Sequence, residues 1–207
     1  MFSGIVERMV RVVSVTKVPG KSALIKLAVG KLTSGVRVGD SICLNGVCLT
    51  VTGRSKGVVS FDAIEETLRV TNLGELTKGS RVNVERSLLV TDRIGGHFVT
   101  GHVDGVGRIV KIDEEGQDSV KMWIEVAPDL TGMMIRKGSV AVDGISLTLV
   151  DVAAKQFSVC LIPHTLSITT LGYKGAGDSV NLEVDMLGKY VRKYFDEMST
   201  QVTLRGA

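Results

Sequence analysis

The stretch Gly39–Thr52, GDSICLNGVCLTVT, returns at Lys137–Val150 as KGSVAVDGISLTLV. Thr50 and Thr148 stand 98 positions apart, and the same interval links Ser41 to Ser139, Gly46 to Gly144, Thr67 to Thr165, Leu73 to Leu171, Gly74 to Gly172, Asn83 to Asn181 and Glu85 to Glu183. Between Gly39–Arg86 and Lys137–Val184 about 15 of 48 aligned pairs are identical without a gap, so one structural unit is used twice. The starts also correspond, SGIVERMVRVVSV from Ser3 echoing TGHVDGVGRIVKI from Thr100. An interval this long suits tandem domains rather than a solenoid, with a boundary in DRIGGHFVTG, Asp92–Gly101, where Gly95-Gly96 marks a bend. The expected division is residues 1–96, a similar unit at 97–186, and a tail at 187–207.

Each unit reads as strands. VKMWIEVA alternates Val120, Met122, Ile124 and Val126 with Lys121, Trp123 and Glu125, and SRVNVERS alternates Val82 and Val84 with Arg81, Asn83 and Glu85, the period of half-buried strands. Asn45-Gly46 and Asp143-Gly144 lie between β-formers, and such pairs supply the two positive φ angles of a tight hairpin. One short helix is expected per unit, in DAIEETLRVTNLG with Asp62 as N-cap and in IPHTLSITTLG with Pro163 at the first helical position, each closed by a glycine. The predicted fold is all-β: two tandem, similar six-stranded Greek-key barrels followed by a C-terminal α-helix. In that tail Leu187, Tyr190, Val191, Tyr194, Phe195 and Met198 recur at helical spacing opposite Lys189, Arg192, Lys193, Asp196 and Glu197. An amphipathic helix of about 14 residues does not hold alone in water, so its stripe packs on its own barrel or on the same helix of neighbouring chains. TQVTLRGA after it reads as a frayed end.

Charge narrows the partners. With 25 basic and 22 acidic residues intermixed, net charge +3, the chain shows no footprint for nucleic acid, and it has no apolar run fit to span a membrane. Glu7 and Arg8 interrupt what would be the apolar part of a signal peptide, so a cytoplasmic chain is expected. Cys43, Cys48 and Cys160 match neither a disulfide framework nor a zinc site and read as free thiols, and no metal is expected.

Strand parity sets Val47, Leu49 and Val51 against Cys48, Thr50 and Thr52, and Ile145, Leu147 and Leu149 against Ser146 and Thr148. A small polar face on a barrel strand is either its solvated outside or a ligand contact. A thiol among the hydroxyls argues against open water, so both readings stay open.

The motifs MFSGIVE, GVCLTVT, ETLRVTNLG, NVERSL, GGHFVTGHVDG, DGISLTLV and LIPHTL, in this order over nearly the whole length, resemble the riboflavin synthase family. The family's usual start has Thr at the third position, and Ser3 keeps the hydroxyl. The resemblance implies one ribityllumazine per barrel, a homotrimer, and a working site where the N-terminal barrel of one chain faces the C-terminal barrel of another. It also implies transfer of a four-carbon unit between two 6,7-dimethyl-8-ribityllumazines, giving riboflavin and 5-amino-6-ribitylaminouracil. No cofactor is required, and lumazine synthase is an associated partner the resemblance suggests. Light-emitting bacteria use the same duplicated barrel as a non-catalytic lumazine or flavin carrier, which is the alternative. A flavin-holding reductase barrel would need a nicotinamide domain, and no Gly-x-Gly-x-x-Gly fingerprint opens a helix.

Carried over, the ligand contacts fall in the first barrel on Gly4, Ile5, Val6, Cys48, Leu49, Thr50, Asp62, Ala63, Ile64, Glu65, Glu66 and Thr67. In the second they fall on Gly101, His102, Val103, Lys137, Ser146, Leu147, Thr148, Cys160, Leu161, Ile162, Pro163, His164 and Thr165. Glu66 and its counterpart His164 are placed to reach ribityl hydroxyls. Cys48, His102, Ser146 and Thr148, with Ser41, Asp185 and Phe2, are the candidate catalytic residues. Each has a plainer reading as well: Phe2 capping the barrel, Ser41 and Asp185 tying down backbone, Cys48 an inert thiol, His102 a strand-edge histidine. His97 reads as packing within the linker.

Overall fold

In the computed structural model the described residues are 1–17, 22–116 and 118–205, the side chains of 200–205 excepted. The first unit contains β1 (Arg8–Lys17), β2 (Ser22–Ala28), β3 (Ser41–Leu44), β4 (Val47–Ser55), β5 (Val58–Ile64) and β6 (Arg81–Arg86), closed in the order β1-β2-β5-β4-β3-β6. The second contains β7 (Gly105–Glu115), β8 (Ser119–Glu125), β9 (Ser139–Val142), β10 (Ile145–Val152), β11 (Gln156–Leu161) and β12 (Ser179–Val184), and its ring β7-β8-β11-β10-β9-β12 repeats the same order. Every pairing is antiparallel, and the connection that sends β2 to β5 rather than to β3 is the Greek-key crossing. The expected all-β pair of six-stranded barrels with a C-terminal helix is what the chain forms.

The repeat extends to irregularities. Bulges interrupt β1 between Val12 and Ser14 and β7 between Ile109 and Lys111, and likewise β4 between Val51 and Gly53 and β10 between Leu149 and Asp151. A bulge bends a strand and sharpens its twist, which lets a six-stranded sheet close on itself. Inside each barrel the alternating apolar residues form a separate core, around Phe61, Ile25 and Leu27 in the first and Phe157, Ile124 and Ile109 in the second. All six are fully buried. Each such side chain contributes about 1.5–3 kcal/mol by leaving water.

Both hairpins take the expected tight form, with φ of 44° and 82° at Asn45-Gly46 and 46° and 77° at Asp143-Gly144. Their tips abut: a Cβ on Gly144 would lie 2.7 Å from the amide nitrogen of Gly46, and one on Gly46 2.9 Å from that of Gly144. Glycine is therefore required twice over at this contact, by backbone angle and by distance. Around the tips runs a buried polar network. Asn83 Nδ2 donates to Asp143 O and Thr170 Oγ1, at 3.0 and 2.8 Å, while its Oδ1 accepts from Thr170 N at 2.9 Å. Asn181 mirrors it, donating to Asn45 O and Asn72 Oδ1, both at 2.8 Å, and accepting from Asn72 N at 2.7 Å. Both amides are thus satisfied, the condition under which buried polar groups do not destabilise a fold.

This interface corrects the half-buried reading of β6. Val82, Asn83, Val84 and Glu85 are all buried, as are Val180 to Val184 in β12, because the polar side of each strand faces the other barrel rather than water. The N-cap reading of Asp62 is corrected as well: Asp62 pairs with Leu24 in the sheet, β5 runs on to Ile64, and α1 (Glu65–Val70) starts without a side-chain cap. After a single turn α2 (Pro128–Thr131), α3 (Pro163–Ile168) begins on Pro163 as expected. Gly74 and Gly172 follow α1 and α3 where a Cβ would collide with the carbonyls of Leu68 and Leu166.

The tail helix α4 (Met186–Arg205) is longer than its apolar stripe suggested, continuing through the segment read as frayed; Gly206 and Ala207 lie outside the described residues. Asp185 caps it, its Oδ1 accepting from Leu187 N at 3.0 Å, and Lys189 pairs with Asp104 at 2.7 Å. Beyond this base the stripe is uncovered, Tyr190 at 69% and Phe195 at 59% exposure. No described helix is long and apolar enough to cross a membrane. Gly144→Ala is expected to destabilise the chain by at least about 1–3 kcal/mol, from strained φ together with the lost tip contact. Denaturant unfolding checks this, and an unchanged midpoint would contradict the abutting tips.

Candidate functional site

Two buried carboxylates organise the candidate residues. Glu85 on β6 accepts from Ser3 N at 2.7 Å, Ser3 Oγ at 2.9 Å and Gly4 N at 3.0 Å. Glu183 on β12 accepts from Thr100 N and Oγ1, both at 2.7 Å, and from the amides of Gly101 and His102 at 2.9 and 3.1 Å. Burial pushes the Glu85 carboxyl upward, opposed by the donors of Ser3, Gly4 and Ile5. So gripped, each lead segment runs toward the opposite barrel. Gly4 O accepts from Ser146 N and Gly101 O from Cys48 N, each at 2.8 Å. Val6 packs on the second barrel's core and Val103 on the first's.

The assignment of contacts to barrels is corrected accordingly. Gly101, His102 and Val103 lie with Cys48, Leu49 and Thr50 on the first barrel, because the carbonyl of Gly101 completes the hydrogen bonding of β4. Asp62, Ala63 and Ile64 adjoin them on β5, since Val51 pairs with Phe61, and Glu65, Glu66 and Thr67 continue into α1. The second patch joins Gly4, Ile5 and Val6 to Ser146, Leu147 and Thr148 on β10. Cys160 and Leu161 adjoin on β11, followed by Ile162 and by Pro163, His164 and Thr165 in α3. Lys137 joins its edge, donating its amide to Leu149 O at 2.8 Å.

Both patches occupy the outer face of a barrel. Leu49 and Val51 point into the core while Thr50 and Thr52 are exposed and Cys48 is half-buried, so the expected parity holds. The matched isoleucines Ile64 and Ile162 are 61% and 57% exposed, and Ile5 is 50% exposed. Apolar side chains set in water beside hydroxyls and a thiol suit a flat heterocycle or a partner surface better than a solvated face. Glu66 is held below the usual carboxylate range by its hydrogen bond from Arg69, at 2.6 Å, so that its ribityl role would compete with that pair. Cys160 is exposed, with its thiol pushed up by partial burial and the Glu115 carboxylate. A separate cavity of about 710 Å³ beside the N-terminal segment is lined by Ser3, Ile5, Ser41, Glu85, Arg86 and other residues, and holds only Ile5 and Ser41 of the candidates.

The outlying candidates divide. Phe2 is fully buried with Cys43, Val99 and Ala141, next in the chain to Ser3 and Gly4, so its ring is turned away from the exposed patches. Ser41 takes a 2.7 Å bond from Ser87 Oγ on its carbonyl, and Asp185 serves as the cap described above. His102 is exposed, its backbone held by Glu183.

His97, expected to pack within the linker, lies instead against the second patch. Its Nδ1 is 2.7 Å from Ser146 Oγ, its amide donates to Ser3 O at 3.1 Å, and its buried Nε2 has no partner among the described residues. The sequence signal was the preceding Gly95-Gly96: a Cβ on Gly96 would lie 2.6 Å from Ser146 Cβ, so close approach to Ser146 explains that glycine.

Comparison with known proteins places this geometry. The lumazine binding domain family matches residues 3–87 and 100–185. A riboflavin synthase of Bacillus amyloliquefaciens is 43% identical over 194 residues, covering 94% of this chain and 89% of that protein. One of Bacillus subtilis is 40% identical over 210 residues, covering 100% and 97%. The crystal structure of LumP complexed with riboflavin superposes with a TM-score of 0.81 at 28% identity, over 89% of this chain and 99% of the other.

Burial lowers the pKa of His97, against the pull of Asp185 and Glu183. A histidine that titrates lower when folded contributes its stability in full above its ordinary value near 6.5, and loses it as the pH falls through the lower folded value. His97→Gln is therefore expected to flatten the decline of the melting temperature between about pH 7 and 5. An unchanged decline would show that the ring is not held neutral against Ser146.

Proposed function

We infer from its descent, since the chain belongs to the riboflavin synthase family of tandem lumazine-binding domains and is an enzyme, that it converts two molecules of 6,7-dimethyl-8-ribityllumazine into riboflavin and 5-amino-6-ribitylaminouracil. The observation that carries this reading is the pair of matched outer patches, each assembled from both barrels, which supplies two related sites for two copies of one molecule. Glu85 and Glu183 fix the backbone edges of Gly4–Val6 and Gly101–Val103, which offer amide donors and acceptors to a pteridine ring. Thr50 and Thr148 present hydroxyls at equivalent strand positions, while Cys48 and Ser146 differ. That difference is the means by which one lumazine becomes donor and the other acceptor of the four-carbon unit.

Approximation does most of the work. Holding two reactants face to face is worth up to roughly 7–11 kcal/mol. The donor's ring methyl group is acidic because its conjugate base is delocalised, so His102, exposed beside Cys48, has only to carry a proton to and from the rings. The two patches are brought face to face by assembly into a trimer, in which the first barrel of one chain meets the second barrel of the next. The uncovered stripe of α4 is the surface that supports this assembly. The working compartment is the cytoplasm.

Incubation with the ribityllumazine should yield riboflavin absorbance. Binding without conversion would instead favour a carrier, a role to which the similarity with riboflavin-bound LumP lends weight. His102→Gln and Cys48→Ala should each lower turnover by about ten- to a thousandfold with the fold retained. Tyr194→Glu with Phe195→Glu should abolish assembly and turnover together. A monomer of normal turnover would contradict the shared site.

A further inference from the structure

Cys43 and Cys48 stand directly opposite one another on β3 and β4, one pair beyond the Leu44–Val47 pair that closes the hairpin. The Cys48 amide donates to Gly101 O, at 2.8 Å, rather than across the ladder. This makes the pair the non-hydrogen-bonded kind, whose Cα atoms lie about 4.5 Å apart with both side chains on one face. Such a separation falls within the roughly 4.4–6.8 Å that a disulfide spans. Both side chains do share a face, since Cys48 packs against the small cluster that contains Cys43, Phe2, Val99 and Ala141. Access differs: Cys43 is 2% exposed, whereas Cys48 is half-buried at the edge of the first patch. The second barrel has Ala141 and Ser146 at these positions, so the arrangement belongs to the first alone.

We propose that Cys43 and Cys48 form a reversible disulfide, making the first patch a site of oxidative modification by hydroperoxides. The Cys48 thiolate attacks one oxygen of hydrogen peroxide, giving the sulfenic acid, and the displaced hydroxide leaves as water. The Cys43 sulfur then attacks Cys48, its proton and the sulfenic hydroxyl leaving as a second water. Two thiols are oxidised and one peroxide reduced. Cys48 meets the oxidant first, because burial and the neighbouring carboxylates of Glu85 and Glu183 keep the Cys43 thiol protonated. Cys43 then acts as the resolving thiol, and it protects Cys48 from irreversible oxidation. Loss of turnover on oxidation rests on the reaction proposed above; the thiol chemistry does not.

The test treats the full-length protein with limiting hydrogen peroxide, then alkylates it after denaturation and maps the peptides by mass. The expected product is a Cys43–Cys48 disulfide, lighter by two hydrogens, with Cys160 alkylated, and dithiothreitol restores both free thiols. In Cys43→Ala, which copies the Ala141 of the repeat, the same treatment should drive Cys48 to sulfinic acid that dithiothreitol does not reverse. If Cys43 remains alkylatable and Cys48 is over-oxidised equally in both proteins, or if Cys48 couples to Cys160 instead, the proposal is overturned. Riboflavin formation assayed alongside separates the two readings: a disulfide that forms in a chain without turnover would leave the modification site standing and remove only its catalytic consequence.

Discussion

A carboxylate buried between two barrels is tolerated only when its charge is met by donors, and Glu85 and Glu183 meet theirs in the same way. Each gathers the successive amides of the segment that leads into its own barrel, and in doing so aims that segment at the other one. The remaining features follow. The carbonyls of Gly4 and Gly101 extend the hydrogen bonding of the opposite hairpins, Val6 and Val103 close the opposite cores, and Phe2 pairs with Val99 in the seam between them. Neither patch belongs to one barrel. A duplicated domain has in this way become a single unit with two related patches.

The seam is nearly two-fold, and its departures from symmetry are side-chain exchanges at matched positions. Asn45 is answered by Asp143, whose buried carboxylate takes an ion pair from Lys174, the position at which the first barrel has buried Leu76. Asn72 is answered by Thr170, Cys43 by Ala141 and Cys48 by Ser146. The backbone bonds from the hairpins to the lead segments are unaffected by these exchanges, so the two patches keep one geometry while their chemistry differs.

Much of this was legible in the chain. The constant interval, the Asn-Gly and Asp-Gly turns and the alternation of Val47, Leu49 and Val51 are local signals, and local signals sufficed for the two hairpins, the parity of their strands, strand β8 and Pro163 at its helix start. The remainder depended on contacts between distant residues. Asn83 and Glu85 carry the alternating pattern of a solvated face, and nothing in the strand itself says that another barrel will cover it. Gly4–Val6 and Gly101–Val103 each precede their own barrel in sequence, so their exchange is invisible without the positions of Cys48 and Ser146. Asp62 shows how pairing overrides capping: a good N-cap residue serves as a strand residue because β2 offers it a partner. His97 has no counterpart in the first half, so the repeat does not point to it, although the two glycines before it mark a close approach.

The exchange of lead segments is tested most directly by crossing the two carboxylates with the two patches in the full-length protein. Ribityllumazine is titrated while the backbone amide signals of Thr50 and Thr148 report the first and second patches separately. Glu183→Ala, a change in the second barrel, should weaken binding at Thr50 by about tenfold or more, equivalent to roughly 1.4 kcal/mol, and spare Thr148; Glu85→Ala should do the reverse. Variants that weaken only the patch on their own barrel would show that each lead segment serves the barrel it precedes, and would contradict the account.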